Sequence, residues 1–224
     1  MGGTDNIKQR LRSAAQTLDL VIEDDEIEAL LAYLRQLERW NNTYNLTALR
    51  DPEHMLVQHV FDSLAIVQPV QDILDKNTVA APAIADIGSG PGLPGIILSI
   101  MRAQWQVRCV DAVEKKVAFM RQVASVLRLS NVQALHARVE QLEPLQADLV
   151  VSRAFASLAD FARLAGRHVG PGGTLLAMKG REPVDEVRAL HEETEWRVDH
   201  IQALAVPELD AQRCLVWMSR QGNL

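Results

Sequence analysis

Apolar residues recur at helical spacing over roughly the first 75 residues and predict a helical N-terminal part. One apolar stripe consists of Ile27, Leu30, Leu31, Leu34 and Leu37. It predicts an amphipathic helix with its N-cap at Asp24 and its end near Trp40. The polar stretch 41–51 that follows is expected to form a loop.

A further helix is predicted to start at Asp51, because Asp favours the N-cap and Pro52 favours the first helical position. Its apolar positions continue to about Gln68. We therefore expect residues 1–78 to form a helical extension and residues 79–224 to form a second domain, the two packed as one compact unit.

From residue 80 onward, short apolar runs alternate with amphipathic segments. The strand candidates are 83–87, 106–110, 132–135, 147–151, 173–178, 198–205 and 214–218. The helix candidates are 93–102, 114–129, 158–168 and 183–192. This alternation predicts a mostly parallel sheet with helices on both faces, and the last two runs predict a terminal antiparallel hairpin. The order of elements is that of the Rossmann-like class I methyltransferases, a likeness of fold alone.

The composition is that of a globular enzyme. Of 224 residues, 48% are hydrophobic, which excludes a disordered chain, and no apolar run is long enough to span a membrane. The N-terminus lacks the apolar region of a signal peptide, so we expect a cytoplasmic protein. Cys109 and Cys214 cannot build a disulfide framework or a CxxC metal site and are expected to be buried.

The net charge of −6 argues at first against a nucleic-acid partner, but the charge is unevenly distributed. Residues 1–101 carry 7 basic and 14 acidic groups, and residues 182–224 carry 4 and 9. Residues 102–181 carry 12 basic and 6 acidic groups. An RNA-binding face is therefore compatible with the acidic total, since affinity depends on local phosphate contacts.

The segment DIGSGPGLPG, residues 86–95, predicts a ligand-binding loop between a strand and a helix. It satisfies GxGxxG, which is typical of dinucleotide binding, and also the DxGxG pattern of S-adenosylmethionine binding. Asp86, two residues before Gly88, favours the cationic cofactor. Asp111 ends the next strand, where a carboxylate holds ribose hydroxyls, but it fits both ligands. A turn without a ligand is the remaining alternative.

The residues at the end of the fourth strand candidate, VSRAF (151–155), limit the kind of atom that can accept the methyl group. They lack the Asn/Asp-Pro-Pro-aromatic motif of exocyclic-amine methylation, and they lack the cysteine needed for pyrimidine C5 methylation. A ring nitrogen such as guanine N7 has a free lone pair and needs no general base, so such an acceptor agrees with the missing motifs.

Six segments occur in the order and spacing of one known family: RWNNTYNLT (39–47), HVFDSL (59–64), DIGSGPGLPG (86–95), RVE (138–140), SRAFASL (152–158) and KG (179–180). Over about residues 25–218 the chain resembles the bacterial ribosomal RNA small-subunit methyltransferase G family, also called glucose-inhibited division protein B. The resemblance implies S-adenosylmethionine-dependent methylation of N7 of guanine 527, in the 530 loop of 16S rRNA.

The candidate cofactor-binding residues come from the loop and strand patterns and from the family resemblance. The loop and strand patterns point to Asp86, Gly88, Gly90, Gly92 and Asp111, and the resemblance implies Gly88, Leu93, Val139, Glu140 and Arg153. No catalytic base is assigned, and Arg153 and Phe155 are the candidates for placing the target base. Arg153 is compatible with binding the cofactor carboxylate, an RNA phosphate, or an ion pair with Asp148 or Glu140. Phe155 is compatible with base stacking or with core packing.

The RNA-binding candidates are Arg138, Lys179, Arg181, Asn41 and Asn45. For Lys179 and Arg181 the alternative is a solvated loop. For Asn41 and Asn45, near Trp40 and Thr47, it is local turn chemistry. His54 and His59 have poor metal-binding spacing, and no metal is expected.

The expected partner is 16S rRNA, within a 30S subunit or an assembly intermediate, and we expect a monomer without membrane contact. Other functions stay open at this point: methylation of a small molecule or protein, a non-enzymatic ribosome-assembly factor, and an NAD enzyme.

Overall fold

A seven-stranded sheet organises the described part of the protein, which in this computed structural model comprises residues 2–76, 80–153, 155 and 157–221. The strands are β1 (Ala83–Ile87), β2 (Gln106–Asp111), β3 (Val132–His136), β4 (Ala147–Ser152), β5 (Val169–Lys179), β6 (Trp196–Ala203) and β7 (Cys214–Arg220). Their order is β3-β2-β1-β4-β5-β7-β6, with β1 to β5 parallel and β7 antiparallel to both of its neighbours. All seven predicted strands and the terminal hairpin are confirmed.

Helices cover both faces of this sheet, as the alternating pattern predicted. The helices are α1 (Gly2–Thr17), α2 (Asp24–Tyr44), α3 (Pro52–Met55), α4 (Asp62–Leu64), α5 (Val67–Lys76), α6 (Gly95–Met101), α7 (Glu114–Val126), α8 (Leu158–Ala165) and α9 (Val184–Glu193). A π-helix spans Leu56–Phe61, and short 3₁₀ turns span Val139–Gln141 and Gly166–His168. Alternate strand residues enter the two layers: Ile84 packs with α6 and α7, whereas Ala85 packs with α8.

The N-terminal helices share one core with the sheet. Leu11 of α1 and Leu30 of α2 belong to the same buried cluster as Val107 and Leu176. The predicted boundary between residues 78 and 79 falls outside the described residues, so the division into two domains stays a prediction. Within the described part of the chain, none of the helices has the length and apolar content to span a bilayer.

The first predicted helix is displaced at both ends. Its N-cap is Glu23, one residue before the predicted Asp24, because Glu23 and Glu26 form a reciprocal capping box. Its end is Tyr44, four residues beyond Trp40, where Asn45 takes a left-handed φ of 50°. The prediction of a loop over 41–51 is therefore wrong for its first four residues.

The second predicted helix begins as expected but is not continuous. The Asp51 carboxylate accepts a hydrogen bond from the Glu53 N–H at 2.9 Å, and Pro52 opens α3. The chain then widens into the π-helix, breaks after α4 and continues in α5, so the predicted end at Gln68 is wrong. Such π-helical turns concentrate at functional sites, and this one lies against the site described below.

Candidate functional site

The glycine loop joins β1 to α6 at the carboxyl ends of the parallel strands. Gly88, Gly90 and Gly92 have φ values of 69°, 58° and 87°, which side chains rarely adopt. A Cβ atom on Gly92 would overlap Ile96, whereas one on Gly90 would meet no atom within 4 Å. Gly92 therefore packs the loop onto its helix, whereas Gly90 is favoured by its positive φ and not by close packing.

Asp86 lies behind this loop with no exposed surface. Its Oδ2 accepts a hydrogen bond from the Gly95 N–H at 2.8 Å, while Oδ1 has no partner among the described residues. Burial raises the pKa of Asp86 to about 7, against the opposing effects of the Gly95 hydrogen bond and the Arg153 charge. A buried carboxylate with one unsatisfied oxygen favours a cationic or hydrogen-bond-donating ligand.

Asp111 ends β2 and ties the glycine loop to the next loop. Its Oδ2 accepts from the Gly90 N–H and its Oδ1 accepts from the Val113 N–H, each at 2.8 Å. Each carboxylate oxygen retains a second lone pair, so these bonds are compatible with the predicted contact to ribose hydroxyls.

A cavity of about 330 Å³ opens beside the loop, and we call it the loop cavity. It is lined by Ile87, Gly88, Val110, Asp111, Ala112, Ala137, Arg138, Val139, Glu140, Phe155 and Leu164. The structure thus brings together four predicted cofactor residues from β2, the 139–141 turn and the loop. Asp86, Gly90, Gly92 and Leu93 do not line the cavity but form the structure behind it.

These groups fit S-adenosylmethionine better than a dinucleotide. The cofactor carries a sulfonium and an ammonium group, which the carboxylate of Asp86 would stabilise. A pyrophosphate would instead meet two carboxylates, those of Asp86 and Asp111, near the loop backbone. The apolar walls supplied by Val139 and Leu164 suit an adenine ring.

Arg153 follows β4 and lines a second cavity of about 370 Å³, which we call the arginine cavity. This cavity is lined by Leu49, Gln58, His59, Asp62, Arg153, Met178, Lys179, Gly180 and Arg213. Arg153 Nη1 donates to Asp62 Oδ2 at 3.1 Å and to the Gln58 carbonyl, in the π-helix, at 3.0 Å.

The alternative of an ion pair between Arg153 and Asp148 or Glu140 is therefore wrong, since Arg153 pairs with Asp62. Asp148 lies at the start of β4, where its carboxylate accepts from the Ala83 N–H at 2.8 Å. Sequence reasoning missed Asp62, His59 and Arg213, which meet Arg153 in this cavity. His59 and Asp62 belong to the motif HVFDSL, which marked the segment without giving either residue a role, and no sequence pattern marked Arg213.

His59 is a neutral part of the cavity wall. Burial, reinforced by the neighbouring Arg153 charge, lowers the pKa of His59 to about 4. Its Nε2 pairs with Thr47 Oγ1 at 2.9 Å. In the described ranges, no group of three His, Cys, Asp or Glu side chains has the arrangement of a metal site.

Phe155 and Lys179 connect the two cavities. Phe155 lines the loop cavity and packs against Phe161 with ring centroids 5.0 Å apart. Lys179 Nζ donates to the Phe155 carbonyl at 3.2 Å and pairs with Glu186 at 2.7 Å. Arg181 is exposed on the loop after β5. Two alanines of the predicted segment 152–158, at positions 154 and 156, lie outside the described residues.

Asn41 is a structural residue, so its prediction as an RNA contact is wrong. Its side chain is fully buried, donates to the Leu49 carbonyl at 2.7 Å and accepts from the Thr47 N–H at 2.9 Å. Asn45 is exposed, caps α2 and accepts a hydrogen bond from Arg50. The turn-chemistry alternative therefore describes Asn41, and Asn45 stays a candidate.

Replacing Asn41 with alanine should lower the free energy of unfolding by about 1–3 kcal/mol, because a backbone donor and a backbone acceptor lose their partner. Urea unfolding would measure it. Asn42→Ala, at the exposed neighbouring position, is the matched control and should stay within about 0.5 kcal/mol of the wild type. Equal stability of the two variants would contradict the role given to Asn41.

Both cysteines are buried, as predicted. Cys109 lies in β2 beneath the glycine loop, and burial raises the pKa of its thiol. Cys214 opens β7, and burial also raises its pKa. Neither thiol is therefore suited to act as a nucleophile at neutral pH.

Comparison with known proteins identifies close relatives. The sequence model of the family described as rRNA small subunit methyltransferase G matches residues 26–216. The ribosomal RNA small subunit methyltransferase G of Bordetella petrii is 61% identical over 216 residues, covering 96% of this chain and 84% of the relative. The protein of the same name from Leptothrix cholodnii is 47% identical over 212 residues, covering 94% of each chain.

Solved structures resemble the chain at the level of the fold. A SAM dependent methyltransferase from Aquifex aeolicus has a TM-score of 0.54 at 17% identity, covering 84% of this chain and 97% of that one. TYW2 of M. jannaschii, solved in complex with AdoMet, has a TM-score of 0.50 at 12% identity, covering 67% and 75%. The predicted class I methyltransferase fold is confirmed.

Proposed function

We infer the function from one premise: this chain belongs to the rRNA small subunit methyltransferase G family. It is an S-adenosylmethionine-dependent methyltransferase that acts on small-subunit ribosomal RNA. The observation that carries this conclusion is identity of 61% over 96% of the chain to a relative of that name. The loop cavity agrees with it, because the Asp111 carboxylate and the Gly88 backbone that line it suit this cofactor.

We propose that the loop residues hold the cofactor by distinct contacts. Asp86 stabilises its cationic groups, Asp111 accepts from its ribose hydroxyls, and Val139 and Glu140 border its adenine. Arg153 reaches its carboxylate from the neighbouring cavity. When bound, S-adenosylmethionine supplies a methyl group activated by a sulfonium, and the protein's task is then to align the acceptor atom.

We propose more specifically that the methyl acceptor is N7 of guanine 527, in the 530 loop of 16S rRNA. N7 carries a lone pair, so the site need only place the base, and Phe155 is suited to stack against it. The neutral, hydrogen-bonded His59 and the buried thiols supply no nucleophile or strong base, which agrees with such an acceptor. We further propose a cytoplasmic monomer acting on a 30S subunit or an assembly intermediate.

The decisive experiment maps N7-methylguanosine in 16S rRNA from cells that lack this protein. Borohydride reduction and aniline scission followed by primer extension should show the modification at position 527 only when the wild-type gene is present. Full methylation at 527 in its absence would refute the proposal. Incubation with labelled cofactor and either deproteinised 16S rRNA or 30S particles would then identify the substrate form.

A further inference from the structure

One buried carboxylate joins two arginines in the arginine cavity. Asp62 is only 2% exposed, and its Oδ1 accepts from Arg213 Nε at 2.9 Å while its Oδ2 accepts from Arg153 Nη1 at 3.1 Å. The two arginine side chains are about a quarter exposed. Both oxygens of Asp62 are thus occupied by the arginines, and Asp62 fixes two guanidinium groups that line the cavity with it.

Arg213 has donors directed away from Asp62. Its Nη1 donates to the Gln212 carbonyl at 2.9 Å, and among the described residues its Nη2 makes no hydrogen bond. Arg213 precedes β7, whose first residue, Cys214, pairs with Lys179 at the end of β5. This position places Arg213 at the carboxyl edge of the parallel strands, which is also the edge of the glycine loop.

The cavity carries excess positive charge. Two guanidinium groups share the single carboxylate of Asp62, Lys179 is already paired with Glu186, and His59 is neutral at neutral pH. A guanidinium whose orientation is fixed by a carboxylate is well suited to bind an anionic oxygen. Of the anions that methylation of RNA brings to this edge, a backbone phosphodiester is the one that accompanies the acceptor.

We propose that Arg213 binds a backbone phosphodiester of the substrate rRNA close to the target nucleotide, and that Asp62 is the positioning residue that fixes Arg213 relative to Arg153. This inference rests on the proposed function. The two arginines then have different roles: Arg153, which follows β4, contacts the cofactor, and Arg213, which precedes β7, contacts the RNA strand.

Arg213→Gln tests the phosphate contact. We expect the KM for rRNA to rise about tenfold, with unchanged cofactor affinity and kcat. The logarithm of the binding constant decreases with the logarithm of salt concentration, and the magnitude of this slope should decrease by about 0.7. The measurement uses 16S rRNA from cells lacking the protein. Arg213→Lys keeps the charge and should restore most of the slope. Arg220→Gln, at the opposite end of β7, is the matched control and should behave as the wild type.

Asp62→Asn tests the positioning role, because it keeps both arginine residues but removes the carboxylate that fixes their orientation. We expect it to raise the KM for rRNA while the salt slope stays near that of the wild type. An unchanged salt slope in Arg213→Gln, or a loss of cofactor affinity in place of RNA affinity, would overturn the proposal. If the wild-type protein methylates no 16S rRNA at all, the proposed function fails instead, which is a separate outcome.

Discussion

Replacing Asp86 with asparagine should weaken S-adenosylmethionine binding by about 10–100-fold without lowering the stability of the cofactor-free protein. The affinity falls because a buried charge opposite the cationic cofactor is lost, a change typically worth about 1.5–3 kcal/mol. Stability is preserved because the amide oxygen can still accept from the Gly95 N–H, while a buried charge with one unsatisfied oxygen is removed. Calorimetry and urea unfolding at pH 8 would measure the two quantities.

The pH dependence of stability and of cofactor binding provides a second test of the role of Asp86. The pKa of Asp86 is raised to about 7 in the folded protein, from an ordinary value of 3.8. Between these pH values the folded protein binds more protons than the unfolded chain, so the Asp86 contribution to stability declines as pH rises through about 7. Cofactor binding favours the ionised carboxylate and should therefore weaken as pH falls below 7. In Asp86→Asn both dependences should disappear.

Asp148→Asn is the matched control for this variant. The Asp148 carboxylate also accepts a single backbone N–H bond, but it lies at the amino end of the parallel strands, away from the loop. It should leave cofactor affinity and its pH dependence unchanged. If Asp86→Asn bound the cofactor as tightly as the wild type, or if it lost stability in proportion to affinity, the role given to Asp86 would be wrong.

Much of the α/β part could be predicted because its signals are local. A parallel strand buried on both faces appears in the sequence as a short apolar run. This pattern alone predicts both ends of β1 correctly. The end of α2 could not be placed in this way. Asn41 reads as a loop residue, yet it is buried because its amide satisfies backbone groups six and eight residues further along.

The same difference between local and long-range signals applies to the candidate site. The glycine loop and Asp111 could be predicted because they occupy fixed places after consecutive strands. The Asp62–Arg213 pair could not, since its members are 151 residues apart and the motif that contains Asp62 does not indicate its partner. The ion-pair alternative for Arg153 does not include Asp62 for the same reason: Asp62 lies 91 residues away, on a helical segment outside the sheet.

Replacing Gly95 with alanine should damage both the fold and the cofactor site. A Cβ atom on Gly95 would lie 2.5 Å from Cys109 Sγ and 2.8 Å from Asp86 Oδ2, and both of those side chains are completely buried. We expect the free energy of unfolding to fall by about 1–3 kcal/mol. Displacement of Asp86 should also weaken cofactor binding at least about tenfold, or 1.4 kcal/mol. Urea unfolding and calorimetry would measure these changes.

Two further variants show whether the clash is the cause. Gly3→Ala, in α1, introduces a Cβ with no atom within 4 Å and should leave stability equal to or slightly above that of the wild type. Cys109→Ala removes the nearer of the two opposing atoms, so in the Gly95→Ala background it should restore part of the lost stability and affinity. Strictly additive effects of Gly95→Ala and Cys109→Ala would mean that the two positions do not interact, and the steric explanation would then be wrong.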